Sequence, residues 1–483
     1  MLTKLFFKKD IDALLSGAFN EGSGLKRELN SFDLVSLGVG AIVGAGIFVL
    51  TGHAAAEFAG PAVSLSFLLA LVACGFAGLC YAELASMIPI AGSAYTYAYA
   101  SMGEFIAWII GWDLILEYFL GATTVAIGWS GYVVSFLKNM GINFPEKLSA
   151  APISYNTVSQ SWQLTGNLFN LPAIAVILAI TILLLVGIRV SSRANTAIVV
   201  IKVVILLVFI ATGVFYIKPE LWHPFIPQNT GTFGSFGLSG ILRAAGLCFF
   251  AYIGFDTVST AASEAKNPQK TLPVGILGSL VICTFLYISV SLVMTGVVHY
   301  SKLGGSAPIA TATDAMGLMF LSPLIKIGAI AGLTSVILVL VLGQTRIFYC
   351  MANDNLLPSV FSLIHTKYRT PHVSTIIVGA AASLAAALLP MEVVSELVSI
   401  GTLLAFLIVC FGVLILKYTR ADIKRTFRVP WGPVIPVGGI ISCFYLMAGL
   451  PLGTWYRMII WLFIGLIVYF TYSMKKSSLK RTT

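Results

Sequence analysis

The sequence predicts an all-α membrane protein of twelve transmembrane helices. Three observations carry that expectation. Of 483 residues, 58% are hydrophobic and only 10% charged, with a mean hydropathy of +0.95; a soluble domain carries about 25% charged residues. Twelve apolar runs are each long enough to cross a hydrocarbon core about 30 Å thick. The basic residues gather in alternate connections, which is how loops on the two sides of a bilayer differ.

The chain opens with "LTKLFFKKDIDALLSGAF", where charges mix with apolar residues at helical spacing. An amphipathic helix on the cytoplasmic membrane surface is expected over residues 1–30, and no cleavable signal peptide is visible. The spans fall at 33–57, 62–87, 100–135, 171–189, 196–217, 238–262, 272–299, 320–346, 373–390, 393–417, 433–451 and 453–474. The third is too long for one upright helix, so it tilts or runs past the bilayer. Tyr95, Tyr97 and Tyr99 just before it read as interface aromatics. Only Pro451-Leu452-Gly453 separates the last two spans, a tight turn.

An even count places both termini on one side. Taking that side as cytoplasmic assigns it groups such as Lys4, Lys8, Lys9, Lys26 and Arg27, or Lys417, Arg420, Lys424, Arg425 and Arg428. The other side keeps Lys138, Lys147, Lys218, Arg243, Lys302, Lys326 and Arg457. The bias is about threefold, so a multi-pass protein of the cell's inner or plasma membrane with both ends inside is expected.

The net charge of +10 does not point to nucleic acid, because the cations lie between apolar runs. No GxxxxGK[ST] is present, so there is no P-loop, and uphill movement of a solute would draw on a gradient. The seven cysteines lie mostly within apolar runs without a CxxC pair, and read as small apolar fillers. The five histidines are scattered. No metal, no cofactor and no nucleophile–base pair of an enzyme is expected.

The first span contains "GAIVGAGIFVLTG", with Gly40, Gly44, Gly46 and Gly52. Glycine costs a helix interior roughly 1 kcal/mol against alanine. Gly40 and Gly44 could serve helix packing as a small-xxx-small pair. Alternatively, the helix breaks at Gly44-Ala45-Gly46 and frees backbone groups, which lipid does not tolerate unless they line a polar cavity or meet a ligand. The sixth span, "GLCFFAYIGFDTVSTAASEAKNPQ", repeats the feature, with Gly254 and Asp256 at its middle. Paired interruptions at corresponding places in two halves point to inverted repeats around a mid-membrane site.

The stretches "GVGAIVGAGIFVLTG", "CYAELASMIPIAGSAYTYAYASMGEFIAWIIGWDLILEY", "FFAYIGFDTVSTAASEAKNPQ" and "AGLTSVILVLVLGQTRIFYCMANDNLLP" resemble the cationic amino acid transporter branch of the amino acid–polyamine–organocation superfamily. The resemblance runs from about Leu25 to Tyr472. It implies the five-plus-five inverted repeat of the leucine-transporter type with two additional C-terminal helices. The expected division is then a first repeat at 31–220, a second at 236–418, a helix pair at 430–475 and a cytoplasmic tail at 476–483.

An α-amino acid needs donors for its carboxylate and acceptors for its ammonium. The half-helix beginning near Gly46 offers free N–H groups and a positive dipole end, so the carboxylate is assigned to the amides of Gly44, Ala45 and Gly46. The first half-helix ends at Ile42-Val43 and leaves C=O groups free. With it, the carbonyls of Phe250, Ala251 and Ile253, which match the family's pattern, are expected to receive the ammonium. The Phe250 ring is either a gate over the substrate or ordinary packing surface. Asp113 and Glu117 lie four apart on one helix face. Glu117 is a candidate partner for a cationic substrate or else an internal structural group, and Asp113 reads as structural. The resemblance places Leu333 beside the substrate side chain.

Lys202 lies within the fifth span, where a charge is costly unless it is paired or reaches an interface. Snorkelling to the near surface is one reading. The resemblance implies another, in which this lysine takes the place of a coupling sodium and binds carbonyls of the broken first helix, helped by Thr334 and Ser335. Protonation of Lys202 would then drive transport without sodium. Glu83 is open to packing or gating, and Glu264 reads as a structural cap or salt-bridge residue.

The expected function is secondary uptake of a cationic or neutral L-amino acid with a proton as co-substrate. The chain would act as a monomer or weak oligomer among membrane lipids, with no nucleic-acid partner. Exchange of amino acid against polyamine, or amino acid sensing with little flux, are the alternatives.

Overall fold

A computed structural model describes residues 7–8, 29–88, 93–156, 161–187, 192–262, 265–318, 320–368, 370–420 and 425–477. Most of the amphipathic segment expected over 1–30, most of the tail at 476–483, and Glu264 lie outside the described residues.

Helix α1 (Ser31–Ile42) begins at a capping box. Asn30 Oδ1 accepts from the Phe32 and Asp33 amides, and Asp33 Oδ2 accepts from the Asn30 amide at 2.9 Å, so its exposed donors are met by side chains. The helix stops at Val43, which is extended at φ −73 and ψ 91. Helix α2 (residues 46–59) restarts with a π turn at Gly46–Leu50 and ends with another at Ala55–Ala59. Gly60, at φ 60, and Pro61 then redirect the chain into α3 (Val63–Met87).

Next come α4 (Ser93–Ser101), α5 (Glu104–Asn139) with a π turn at Leu116–Leu120, and a hairpin of β1 (Ile153–Asn156) and β2 (Ser161–Leu164) that sets Tyr155 opposite Trp162. Helices α6 (Leu171–Leu185) and α7 (Ser192–Gly213) follow. Helix α8 (Gly237–Cys248) tightens into a 3-10 turn at Phe249–Tyr252 and stops at Ile253, before a short helix at Thr257–Thr260. The remaining helices are α9 (Pro268–Val297), α10 (Pro308–Ala315), α11 (Leu321–Asn353), α12 (His372–Leu388), α13 (Met391–Thr419), α14 (Val434–Ala448) and α15 (Leu452–Val468).

Among the described residues, eight helical stretches are long and apolar enough to cross a membrane, and four apolar helices are shorter. One of the eight, Gly46–Met87, has 42 residues. At 1.5 Å per residue it would extend about 63 Å if straight; the bend at Gly60 divides it. The outward faces are apolar, with Val281 68%, Phe285 65% and Phe463 62% exposed.

The helices pack in two groups. In one, α9 lies against α3 and α1, and α8 against α3; in the other, α11 lies against α5 and α12 against α6. Helix α7 touches both α1 and α11, while α13 bridges to α14.

Two sequence expectations are corrected here. Tyr95, Tyr97 and Tyr99 are buried rather than interfacial. The Tyr95 hydroxyl donates to Asp354 at 2.6 Å and that of Tyr99 to Glu104 at 2.9 Å. The third span does not begin at residue 100, because Gly103, at φ 99, ends α4 and lets α5 start afresh at Glu104.

Candidate functional site

Both interrupted helices open onto the same place. Gly46 sits against Ala251, and a Cβ there would strike the Ala251 backbone. Gly254 has φ 121 and lies 2.9–3.1 Å, measured from an added Cβ, from the carbonyl carbon, oxygen and Cβ of Ala41. These two glycines let backbone approach backbone, which any side chain would prevent.

The contact zone encloses a cavity of about 20 Å³ accessible to a water centre, room for one or two waters. It is lined by Ala41, Ile42, Gly44, Ala45 and Gly46 at the first break, by Phe250 and Ile253 at the second, and by Glu117, Gly121 and Val125 of α5 and Val336 and Leu340 of α11. A hollow between α5 and α15, lined by Trp108, Trp112 and Leu462, is apolar and holds nothing that would recognise an amino acid.

Tyr287 of α9 ties the two breaks together. Its hydroxyl lies 2.9 Å from the Ile42 carbonyl and 2.7 Å from the Ala251 carbonyl. One hydroxyl has one proton, so it donates to one of these oxygens at a time. The other retains acceptor capacity beside the cavity.

Lys202 is fully buried. Its Nζ donates to the Gly40 carbonyl at 2.5 Å, the Val43 carbonyl at 3.0 Å and Ser335 Oγ at 3.4 Å. The ammonium thus satisfies the oxygens freed at the end of α1 and joins them to α11. Snorkelling is excluded by this geometry.

The sequence-derived residues divide accordingly. Ile42, Gly44, Ala45, Gly46, Glu117, Phe250 and Ile253 line the cavity. Val43 does not; its carbonyl serves Lys202. The Ala251 carbonyl is engaged by Tyr287 beside the cavity. Leu333 is buried one turn before Val336 on the same face of α11 and is not part of the lining, which Val336 and Leu340 supply there. Ser335 meets Lys202, whereas the Thr334 hydroxyl donates to Ile330 O at 2.7 Å and accepts from Trp129 Nε1 at 2.9 Å.

The family profile described as amino acid permease matches residues 29–470. The chain belongs to the amino acid permease family. It is 45% identical over 482 residues to the branched-chain amino acid permease BcaP of Bacillus subtilis, covering all of both chains. It is 42% identical over 480 residues to the methylthioribose transporter of the same organism, covering 99% of this chain and 100% of that one. A vacuolar cationic amino acid transporter 4 of Arabidopsis thaliana is 38% identical over 422 residues, 87% of this chain and 68% of the relative. The protein is therefore a transporter of the amino acid permease family in the amino acid–polyamine–organocation superfamily, not an enzyme.

In this permease a second polar cluster lies beside Glu117 in the sequence. The neighbouring Tyr118 hydroxyl donates to Asp256 Oδ2 at 3.0 Å, and Ser93 Oγ donates to the same oxygen at 3.2 Å. Asp113 is buried, with neither carboxylate oxygen hydrogen-bonded among the described residues; it packs against Gly401 of α13. Sequence reasoning missed Tyr287, Val336 and Leu340. The signal for Tyr287 was present, since the one tyrosine in the apolar run "ICTFLYISV" carries a hydroxyl that needs a partner at membrane depth.

Proposed function

We propose that the protein is a proton-coupled, sodium-independent permease for compact neutral L-amino acids with aliphatic side chains, working by alternating access. The observation that carries this reading is the Lys202 ammonium on the Gly40 and Val43 carbonyls. Those oxygens with the Ser335 hydroxyl form the kind of set a sodium ion would take, and the lysine fills it. Changing the protonation of Lys202 changes how firmly the end of α1 is held to α11, which links a proton to the shape of the site.

In this reading the Gly44, Ala45 and Gly46 amides hold the carboxylate, and the carbonyls of Ile42, Ala251, Phe250 and Ile253 hold the ammonium. Val125, Val336 and Leu340 face the substrate side chain across Gly121, an apolar surface suited to a branched aliphatic group. The name of the BcaP relative accords with that. Glu117, 2% exposed, is the feature that favours a cationic substrate instead. The methylthioribose relative gives a second reading, a substrate without a carboxylate.

Twelve crossings with both termini cytoplasmic follow if each short apolar helix also spans. The packing supports a five-plus-five repeat: α3 pairs with α9, α5 with α11 and α6 with α12, each with the helix five spans later, and the breaks stand at the first span of each half.

The test is leucine uptake into proteoliposomes. With acid outside and no sodium, leucine accumulates without internal substrate, and a protonophore abolishes accumulation. Lys202→Ala is expected to lose accumulation while leucine counterflow persists. A sodium requirement, or an unchanged pH response in Lys202→Ala, contradicts the proposal; a strict need for internal amino acid or polyamine identifies an exchanger.

A further inference from the structure

Glu396, near the start of α13, is 7% exposed and is held by three groups. Thr454 Oγ1 donates to it at 2.6 Å, Arg243 Nη2 lies at 3.7 Å, and Arg457 Nη1 lies at 3.8 Å. The two arginines come from different parts of the molecule. Arg243 is on α8, the half-helix that runs into the cavity turn, and its guanidinium covers the Phe58 ring at the end of α2 at 4.4 Å. Arg457 is on α15 and lies over Tyr155 and Trp162 of the hairpin at 4.9 and 5.8 Å. Glu396 is where both half-helices that border the cavity are tied to the surrounding frame.

Glu396 has two guanidiniums, at 3.7 and 3.8 Å, and exposed Glu57 gives Arg243 a second acidic neighbour, so either arginine alone can neutralise the buried carboxylate. The arrangement makes sense if the carboxylate changes partner. We infer that Glu396 is a partner-exchange latch, which rests on the alternating-access reading. With the cavity closed, Glu396 engages Arg243 and holds α2 and α8 shut on the hairpin side. When these half-helices swing open, Arg243 leaves with Phe58, and Arg457 remains to neutralise Glu396. Without Arg457, opening would strand a buried, uncompensated carboxylate, which is strongly unfavourable. The two arginines therefore act in opposite directions: Arg243 favours the closed state and Arg457 lowers the cost of opening.

A purely structural cluster would not show opposite signs. The experiment is hydrogen–deuterium exchange of the full chain in lipid nanodiscs, read at residues 55–62 and 237–245, with leucine counterflow measured in parallel. Arg243→Gln is expected to speed exchange in both segments by roughly fivefold or more. Arg457→Gln is expected to slow exchange there and to slow counterflow. Adding Glu396→Gln to either is expected to erase the difference between them. Should a glutamine variant fail to fold, Arg243→Lys and Arg457→Lys report the same signs at smaller amplitude. Shifts of the same sign, or no shift in either variant, overturn the latch. Unchanged exchange with normal counterflow would leave the permease reading standing, whereas absence of counterflow in the wild type would remove that reading and leave the exchange result interpretable.

Discussion

At the scale of single residues, glycine and tyrosine set the site. Gly46 has no room for a Cβ against the Ala251 backbone. Gly46→Ala is expected to cost about 2 kcal/mol of leucine binding, roughly 30-fold in Kd, with the fold retained. Calorimetric titration checks this, and unchanged affinity would show that the two breaks do not meet in the binding state. Tyr287 supplies one proton to two carbonyls. Tyr287→Phe is expected to destabilise the empty protein by about 1–2 kcal/mol. It is also expected to enlarge the thermal stabilisation given by leucine, whose ammonium then supplies the missing donor. Equal losses with and without leucine would contradict that role.

At the scale of elements, the two breaks were legible in the sequence. Glycines at mid-membrane with a neighbouring aspartate have few other readings, and α1 does end at Ile42. What was not legible depends on rotation and distance. Leu333 shares a helix face with Val336 and Leu340, three and seven residues on, so the expectation found the face of α11 and missed the depth at which the cavity meets it. Adjacent residues on a helix differ by about 100° in direction, so Thr334 points to Trp129 while Ser335 reaches Lys202. Arg243 and Lys326 read only as cations at the outer ends of their spans, whereas each is tied to an acidic side chain on another helix, Glu396 and Asp314.

Fully buried Lys326 of α11 pairs at 3.3 Å with Asp314 of α10, whose side chain is half exposed. Helix α10 in turn covers Gly52 of α2 through Pro308. Lys326→Met removes the charge and keeps the stem, so it is expected to cost under about 1 kcal/mol. Asp314→Asn leaves the lysine buried without its counter-ion and is expected to cost about 2 kcal/mol, less than a wholly buried pair because water reaches the aspartate side. Denaturant unfolding of the two variants checks the asymmetry; equal costs would contradict it.

At the scale of the whole molecule, the structure is closed at both ends of α13. Near its start Glu396 gathers Arg243 and Arg457. Beyond its end, Glu83 of α3 accepts from the Val429 amide at 2.7 Å and lies 3.5 Å from Arg425. Between them the cavity admits only a water or two, so an amino acid can lodge there only if the two helix groups move apart. The central claim is that bare peptide groups from two unwound helices clasp both charges of an α-amino acid. Binding of L-leucine, leucinamide and 4-methylpentanoate to the purified protein tests it most directly, since the two analogues lack the carboxylate or the ammonium alone. Leucine is expected to bind, and each analogue to bind at least about 100-fold more weakly; analogues that bind within about threefold of leucine would show that the site does not recognise the zwitterion, and would contradict the account.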